Sequence, residues 1–318
     1  MVKKTRIVIV SLSVNLVCLF ILILFPSPSR SEDSIVSMGD SITNCSTPTC
    51  IYNHCVGVGN YEECYVARLS SLLGILIDNL GVGGSLSRDG LAWIDGILSS
   101  YRPQILTIYY GTNDAHQPEV EITDVYDNLQ MMVRHCKNLG TKPILATIGP
   151  QFGNYYQYKS RIDTINGYIR SIVDQESIPL ADIESALHWN PYYMYDEIHP
   201  NTYGHEIIAN TFYQAMIRGC AYTIDPASVV YSASGGAGSI TVGVVAGTAC
   251  PWKAVSNVDW ITVTAGSPGI GDGTIYYLVT PNQTNQDRTG TVTVAGKTFT
   301  VTQKRMVGLP WLQLLLEE

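Results

Sequence analysis

Ile35-Val36-Ser37-Met38-Gly39-Asp40-Ser41 is an apolar run of strand length that breaks into a small polar turn. A serine at that point emerges where a strand ends. Runs of similar length recur at Ile75–Asn79, Ile105–Tyr110, Pro143–Ile148 and Ile178–Asp182. Longer helix-like segments lie between or after them, at Tyr61–Leu73, Gly90–Ser100, Val125–Leu139, Ser160–Glu176 and Thr202–Arg218. Val125, Leu129, Met132, Val133 and Cys136 fit one helical face. Alternation of strand and helix predicts an α/β fold, an open parallel sheet with helices on both faces. Ligands of such sheets bind beyond the carboxyl ends of the strands. Three polar motifs sit there: Gly39-Asp40-Ser41, Asn79-Leu80-Gly81-Val82-Gly83-Gly84 and Gly111-Thr112-Asn113-Asp114.

Far downstream, Asp196-Glu197-Ile198-His199 places a carboxylate three residues before an imidazole. Serine is a weak nucleophile until a base lies within hydrogen-bond reach and a third group orients that base. One short segment supplies both. Each motif alone also reads as an ordinary turn. The Gly-x-Ser-x-Gly elbow is absent, because Thr43 ends Gly39-Asp40-Ser41-Ile42-Thr43. The dinucleotide pattern is also unmet, because Leu86 stands in its last glycine position. A phosphate site at Gly81–Gly84 lacks the lysine and carboxylate pattern that would follow it. Asn113 offers an amide able to donate to an oxyanion. His54, His188 and His205 read as structural or exposed rather than as ligands or bases.

Taken in order, the motifs over residues 34–219 resemble the SGNH hydrolase superfamily, also called GDSL esterases and lipases. The resemblance implies a flavodoxin-like three-layer α/β/α sandwich. It makes Ser41 the nucleophile, His199 its base and Asp196 the orienting acid, with Pro200 closing that block. The backbone N–H groups of Ser41 and Gly84 and the Asn113 side chain become the oxyanion donors. No metal or organic cofactor is required. Ile42 replaces the leucine of the family name, and the cysteine-rich stretch Cys45–Cys64 is longer than the usual connection to the next helix. That stretch lies beside the nucleophile, where it shapes substrate access.

Texture changes near Asp225-Pro226 to short alternating runs with Gly-rich turns, the pattern of an all-β sandwich. Residues 226–304 resemble the BACON family of small Ig-like β-sandwiches, on Trp252-Lys253-Ala254-Val255, Asp259-Trp260-Ile261-Thr262-Val263, Asn282–Arg288 before Thr289-Gly290-Thr291-Val292-Thr293-Val294, and Phe299-Thr300-Val301-Thr302-Gln303. Those domains often accompany extracellular, glycan-related enzymes, and the resemblance implies carbohydrate or mucin binding. Trp252 and Trp260 read more readily as core aromatics. The expected organisation is 1–31, 32–222 hydrolase, 226–304 β-sandwich and 305–318, an apolar tail with no assigned role.

Lys3, Lys4 and Arg6 precede an apolar run from Ile7 to Phe25, followed by Pro26-Ser27-Pro28-Ser29. That is the pattern of an export signal or a single membrane anchor, and the expected location is secreted, periplasmic or anchored at the outer side of the cytoplasmic membrane. Without those three cations the chain carries 16 basic against 27 acidic residues, which argues against a nucleic-acid partner. Cys45, Cys50, Cys55 and Cys64 read as one or two disulfides stapling a loop. Zinc is the weaker reading, since no Cys-x-x-Cys pair occurs. Tyr155, Tyr156, Tyr158, Tyr192, Tyr193 and Tyr195 flank the site in sequence and suit sugar rings or acyl chains, though packing explains them too. The expectation is an exported serine esterase acting on carbohydrate acetyl groups or short acyl esters. The alternatives are a lipase or lysophospholipase type of acyl hydrolase and a non-catalytic glycan-binding protein.

Overall fold

The computed structural model describes residues 6–9, 22–25, 34–45 and 63–306. Near the N-terminus β1 (Arg6–Ile9) pairs antiparallel with β2 (Leu22–Phe25). The signal or anchor expected over 1–31 otherwise lies outside the described residues, as do His54, most of the cysteine-rich stretch and the tail from 307. Among the described residues no helix is long and apolar enough to cross a membrane.

Five parallel strands form the central sheet: β3 (Ile35–Gly39), β4 (Ile77–Gly81), β5 (Ile105–Tyr109), β6 (Lys142–Ala146) and β7 (Leu180–Ala181). Their spatial order is β4-β3-β5-β6-β7. The order reverses at β3, so β3 and its two neighbours open a crevice at their carboxyl ends. Successive residues point to opposite faces, and both faces are apolar. Ile35, Ile105, Tyr109 and Ile144 meet α2 (Tyr65–Leu73), α7 (Ile183–Leu187) and α8 (Thr202–Ile217) on one side. Val36, Met38, Leu106, Ile108 and Leu145 meet α3 (Ser87–Tyr101), α5 (Ile122–Asn138) and α6 (Lys159–Glu176) on the other. These are the three layers expected. The second strand runs two residues later than the Ile75–Asn79 reading, because Leu76 is solvent-exposed and pairing with β3 starts at Ile77.

Two four-stranded sheets follow, ordered β13-β15-β10-β8 and β12-β16-β17-β9. The first contains β8 (Ala221–Asp225), β10 (Gly236–Ala246), β13 (Ile261–Ala265) and β15 (Gly273–Val279). The second contains β9 (Ser228–Tyr231), β12 (Ala254–Ser256), β16 (Arg288–Val294) and β17 (Lys297–Gln303). A small pair joins β11 (Pro251–Trp252) to β14 (Gly269–Ile270). Ile240, Val242, Ile275, Val292, Phe299 and Val301 fill the space between the sheets. Trp252 is buried and donates to the Gly271 carbonyl, while the Trp260 ring lies under Arg288 at 4.3 Å. Strand β8 belongs to the sandwich, so the β structure begins upstream of the texture change at Asp225-Pro226.

The two parts meet tightly. A Cys220–Cys250 disulfide bridges them, Ile270 shares the core of α2 and α8, and Lys253 Nζ donates to the Leu72 carbonyl at 3.0 Å. Cys45 and Cys64 form a second disulfide, and Cys136 is a buried free thiol.

Candidate active site

Gly39 ends β3 where a side chain would press into the Tyr109 carbonyl and Thr43, so the strand exits only through glycine. Asp40 then caps α1 (Ser41–Asn44), with Oδ1 accepting from the Ile42 N–H at 2.9 Å. Ser41 is thereby fixed at the sheet edge. The turn beneath it is pinned from β4: Asn79 Nδ2 donates to the Thr43 carbonyl at 2.7 Å, and Asn44 Nδ2 donates to the Gly81 carbonyl at 2.8 Å.

Ser41 Oγ lies 3.0 Å from His199 Nε2. His199 Nδ1 lies 2.8 Å from Asp196 Oδ2. The other carboxylate oxygen, Oδ1, accepts from the backbone N–H of Ile198 at 2.8 Å and of His199 at 2.6 Å. One carboxylate therefore sets both the backbone and the ring of the base. A bridge between Met194 and Pro200 closes the loop around them. Burial raises the Asp196 carboxyl, but its bonds to the His199 ring and the two N–H groups outweigh this and hold it below the usual carboxylate value.

The turns after β4 and β5 adjoin the Ser41 turn. Val82 N donates to the Gly39 carbonyl at 2.9 Å, and Gly84 follows with φ +76°. Asn113 lies in α4 (Thr112–His116) and spends one amide hydrogen on the Ser85 carbonyl at 3.0 Å. Asp114 is buried and receives both Ser87 N–H and Ser87 Oγ. Sequence reading gave Asp114 and Asn79 no role. Their signal was a polar residue inside a motif otherwise explained, and its use becomes visible only once the turns are side by side.

Ser41, His199 and Asp196 thus form one hydrogen-bonded chain, while Gly84 and Asn113 lie on the turns after β4 and β5, which are bonded to each other through Ser85. His205 does not join them. It is buried against the Tyr65 ring, and burial pushes its pKa down to about 4. His188 ends α7 with φ +50°. Tyr156, Tyr192 and Tyr195 are more than half exposed, and Tyr192 stacks on Tyr203 at 5.6 Å. Among the described residues no group of His, Cys, Asp and Glu is arranged to hold a metal ion.

Residues 37–207 match the GDSL-like Lipase/Acylhydrolase family, and residues 251–304 match the BACON binding domain. An N-acylneuraminate cytidylyltransferase of Escherichia coli O18:K1:H7 (strain RS218 / NMEC) is 28% identical over 142 residues, which is 43% of this chain. The chain spans only 34% of that protein's length. An acetylxylan esterase of Geobacillus stearothermophilus is 24% identical over 204 residues, covering 57% of this chain and 93% of the relative. Among solved structures, an alpha/beta hydrolase enzyme from the metagenome of Lake Arreo, Spain, superposes with a TM-score of 0.50 at 24% identity. That superposition covers 58% of this chain and 95% of the other.

Proposed function

The chain belongs to the GDSL-like Lipase/Acylhydrolase family and is a serine ester hydrolase; on that premise we propose that it is exported and removes acetyl or other short acyl groups from carbohydrate through Ser41, His199 and Asp196. The observation that carries the reading is the unbroken chain of contacts from Ser41 Oγ through the imidazole to Asp196 Oδ2, at 3.0 and 2.8 Å. His199 Nε2 takes the serine proton as Oγ attacks the ester carbonyl carbon. Asp196 keeps the imidazole in its Nδ1–H tautomer and stabilises the imidazolium that forms. Charge on the carbonyl oxygen falls to the N–H groups of Ser41 and Gly84 and to the second amide hydrogen of Asn113. The imidazolium then protonates the departing alcohol. Water, deprotonated by His199, releases the acid from Ser41.

Three features support carbohydrate as the alcohol. The exposed tyrosines beside the loop of His199 present flat faces with hydroxyl tips. A BACON match follows the hydrolase part. The relative that aligns over almost its whole length is named for acetylxylan. We assign catalysis to residues 32–222 and glycan attachment to 226–304. The test is acetate release from acetylated xylan and from p-nitrophenyl acetate, each against a Ser41→Ala control. Turnover above control on both supports the reading. Turnover on lysophospholipid with none on acetylated xylan moves the substrate to lipids, and no turnover on any ester leaves a glycan-binding protein.

A further inference from the structure

His116 is the last residue of α4, three positions after Asn113. The triad does not use it, yet its ring is held on several sides. Gln151 Oε1 lies 2.6 Å from His116 Nε2, and the Tyr155 and Tyr158 rings lie at 4.6 and 5.1 Å. Gln151 is 1% exposed and its Nε2 has no partner among the described residues, so its amide has no route to water as a substitute.

As that amide is oriented, Oε1 accepts the Nε2 hydrogen of His116, which leaves a lone pair on Nδ1. Among the described residues no group bonds Nδ1, and His116 is only half-buried. The ring is near enough to His199 for the two charges to interact. The turn carrying Tyr155 is bound to the residue after Asp196: Phe152 N donates to the Glu197 carbonyl at 2.8 Å, and Asn154 N donates to Glu197 Oε2 at 3.0 Å. The His116 ring therefore spans the gap between the Asn113 helix and the loop of the base.

We propose that His116 is a specificity-determining residue whose Nδ1 accepts a hydrogen bond from a free hydroxyl of a polyhydroxylated ester, with Gln151 as the residue that positions the ring. The proposal rests on the esterase reading above and narrows its substrate. A lone pair selects a hydrogen-bond donor. Burial holds the imidazole below its ordinary pKa, with the Gln151 bond opposing and the His199 charge adding to the effect, so the ring is neutral and does not select an anion. A simple acyl chain offers no donor and would leave the nitrogen stripped of water and unpaired, whereas a sugar ring satisfies it.

The experiment compares kcat/KM on partially acetylated xylobiose, which has free hydroxyls, and on p-nitrophenyl acetate, which has none. His116→Leu should lose about 10-fold on the sugar ester and less than about 2-fold on the other. His116→Asn, which keeps an acceptor and serves if the leucine variant fails to fold, should lose less on the sugar ester. Gln151→Leu should reproduce the selective loss and shift the ring nitrogen resonances of His116 away from the Nε2-protonated form, a change that mere support of the turn would not make. Equal losses on both esters in folded protein, or no loss on either, overturn the role of His116 while leaving the esterase intact. A wild type inert on both esters and unlabelled at Ser41 by a fluorophosphonate removes the esterase reading and this inference with it.

Discussion

Asn113 Nδ2 donates to the carbonyl of Ser85 at 3.0 Å, joining the turn after β5 to the turn after β4. The bond consumes one amide hydrogen and aims the amide, so the remaining hydrogen is oriented before substrate arrives. In the oxyanion role proposed for Asn113, a donor so preorganised acts without reorganising during the reaction.

Asn113→Ala should therefore lower kcat by roughly 10²–10³ with KM little changed. Steady-state kinetics on p-nitrophenyl acetate checks it. A rise in KM alone would make Asn113 a ground-state contact.

Gly84 has φ +76°, and a Cβ built on it meets nothing within 4 Å. Its constraint is backbone geometry, since a left-handed L-residue costs about 1–2 kcal/mol. Gly84→Asn, which tolerates that region, should retain more activity than Gly84→Ala, and both should fold. The reverse order would mean that the N–H of this turn is not used.

Burial raises the Asp40 carboxyl from its ordinary 3.8 to about 6. The bonds that Asp40 accepts, from the Ile42 N–H that it caps and from Thr112, only partly offset that burial. The folded chain thus holds this proton to higher pH than the unfolded chain. The associated stability is complete below about pH 4 and is lost as pH rises through about 6. The loss is on the order of 3 kcal/mol. Asp40→Asn keeps an oxygen for the cap and should flatten unfolding free energy between pH 4 and 8. Equal slopes in variant and wild type would show Asp40 ionising without penalty.

Ile270 lies 5% exposed in the core of α2 and α8, and Cys250 is bonded to Cys220. Truncation after Gly219 removes both. The proposed triad and oxyanion donors all precede that point, so the rate on a small soluble ester should hold while stability falls by about 2–5 kcal/mol from the lost Ile270 burial alone. Thermal unfolding and the ester assay together test it, and lost activity in folded protein would mean that the sandwich completes the site.

The sheet was legible because β3 and β5 are short apolar runs buried on both faces, a pattern that needs no partner knowledge to read. The contact of Ser41 with His199 and of His199 with Asp196 was legible because a serine at a strand end and an Asp-x-x-His segment have little packing role to hide behind. What escaped were contacts between turns. Nothing local to Asp114 says that it will hold Ser87, and nothing near Gln151 says that it will hold His116. The Cys220–Cys250 bond was hidden for the same reason, since scattered cysteines carry no spacing signal. The sandwich start was displaced because β8 is short and adjoins α8 without a Gly-rich or Pro-rich break before it.

Covalent labelling of Ser41 by a fluorophosphonate tests the central claim most directly, because it requires a serine activated by its base. Wild type should label at Ser41, His199→Ala should not, and Asp196→Asn should label weakly, with the base present but poorly oriented. Equal labelling of wild type and His199→Ala would contradict the assignment of His199 as the base.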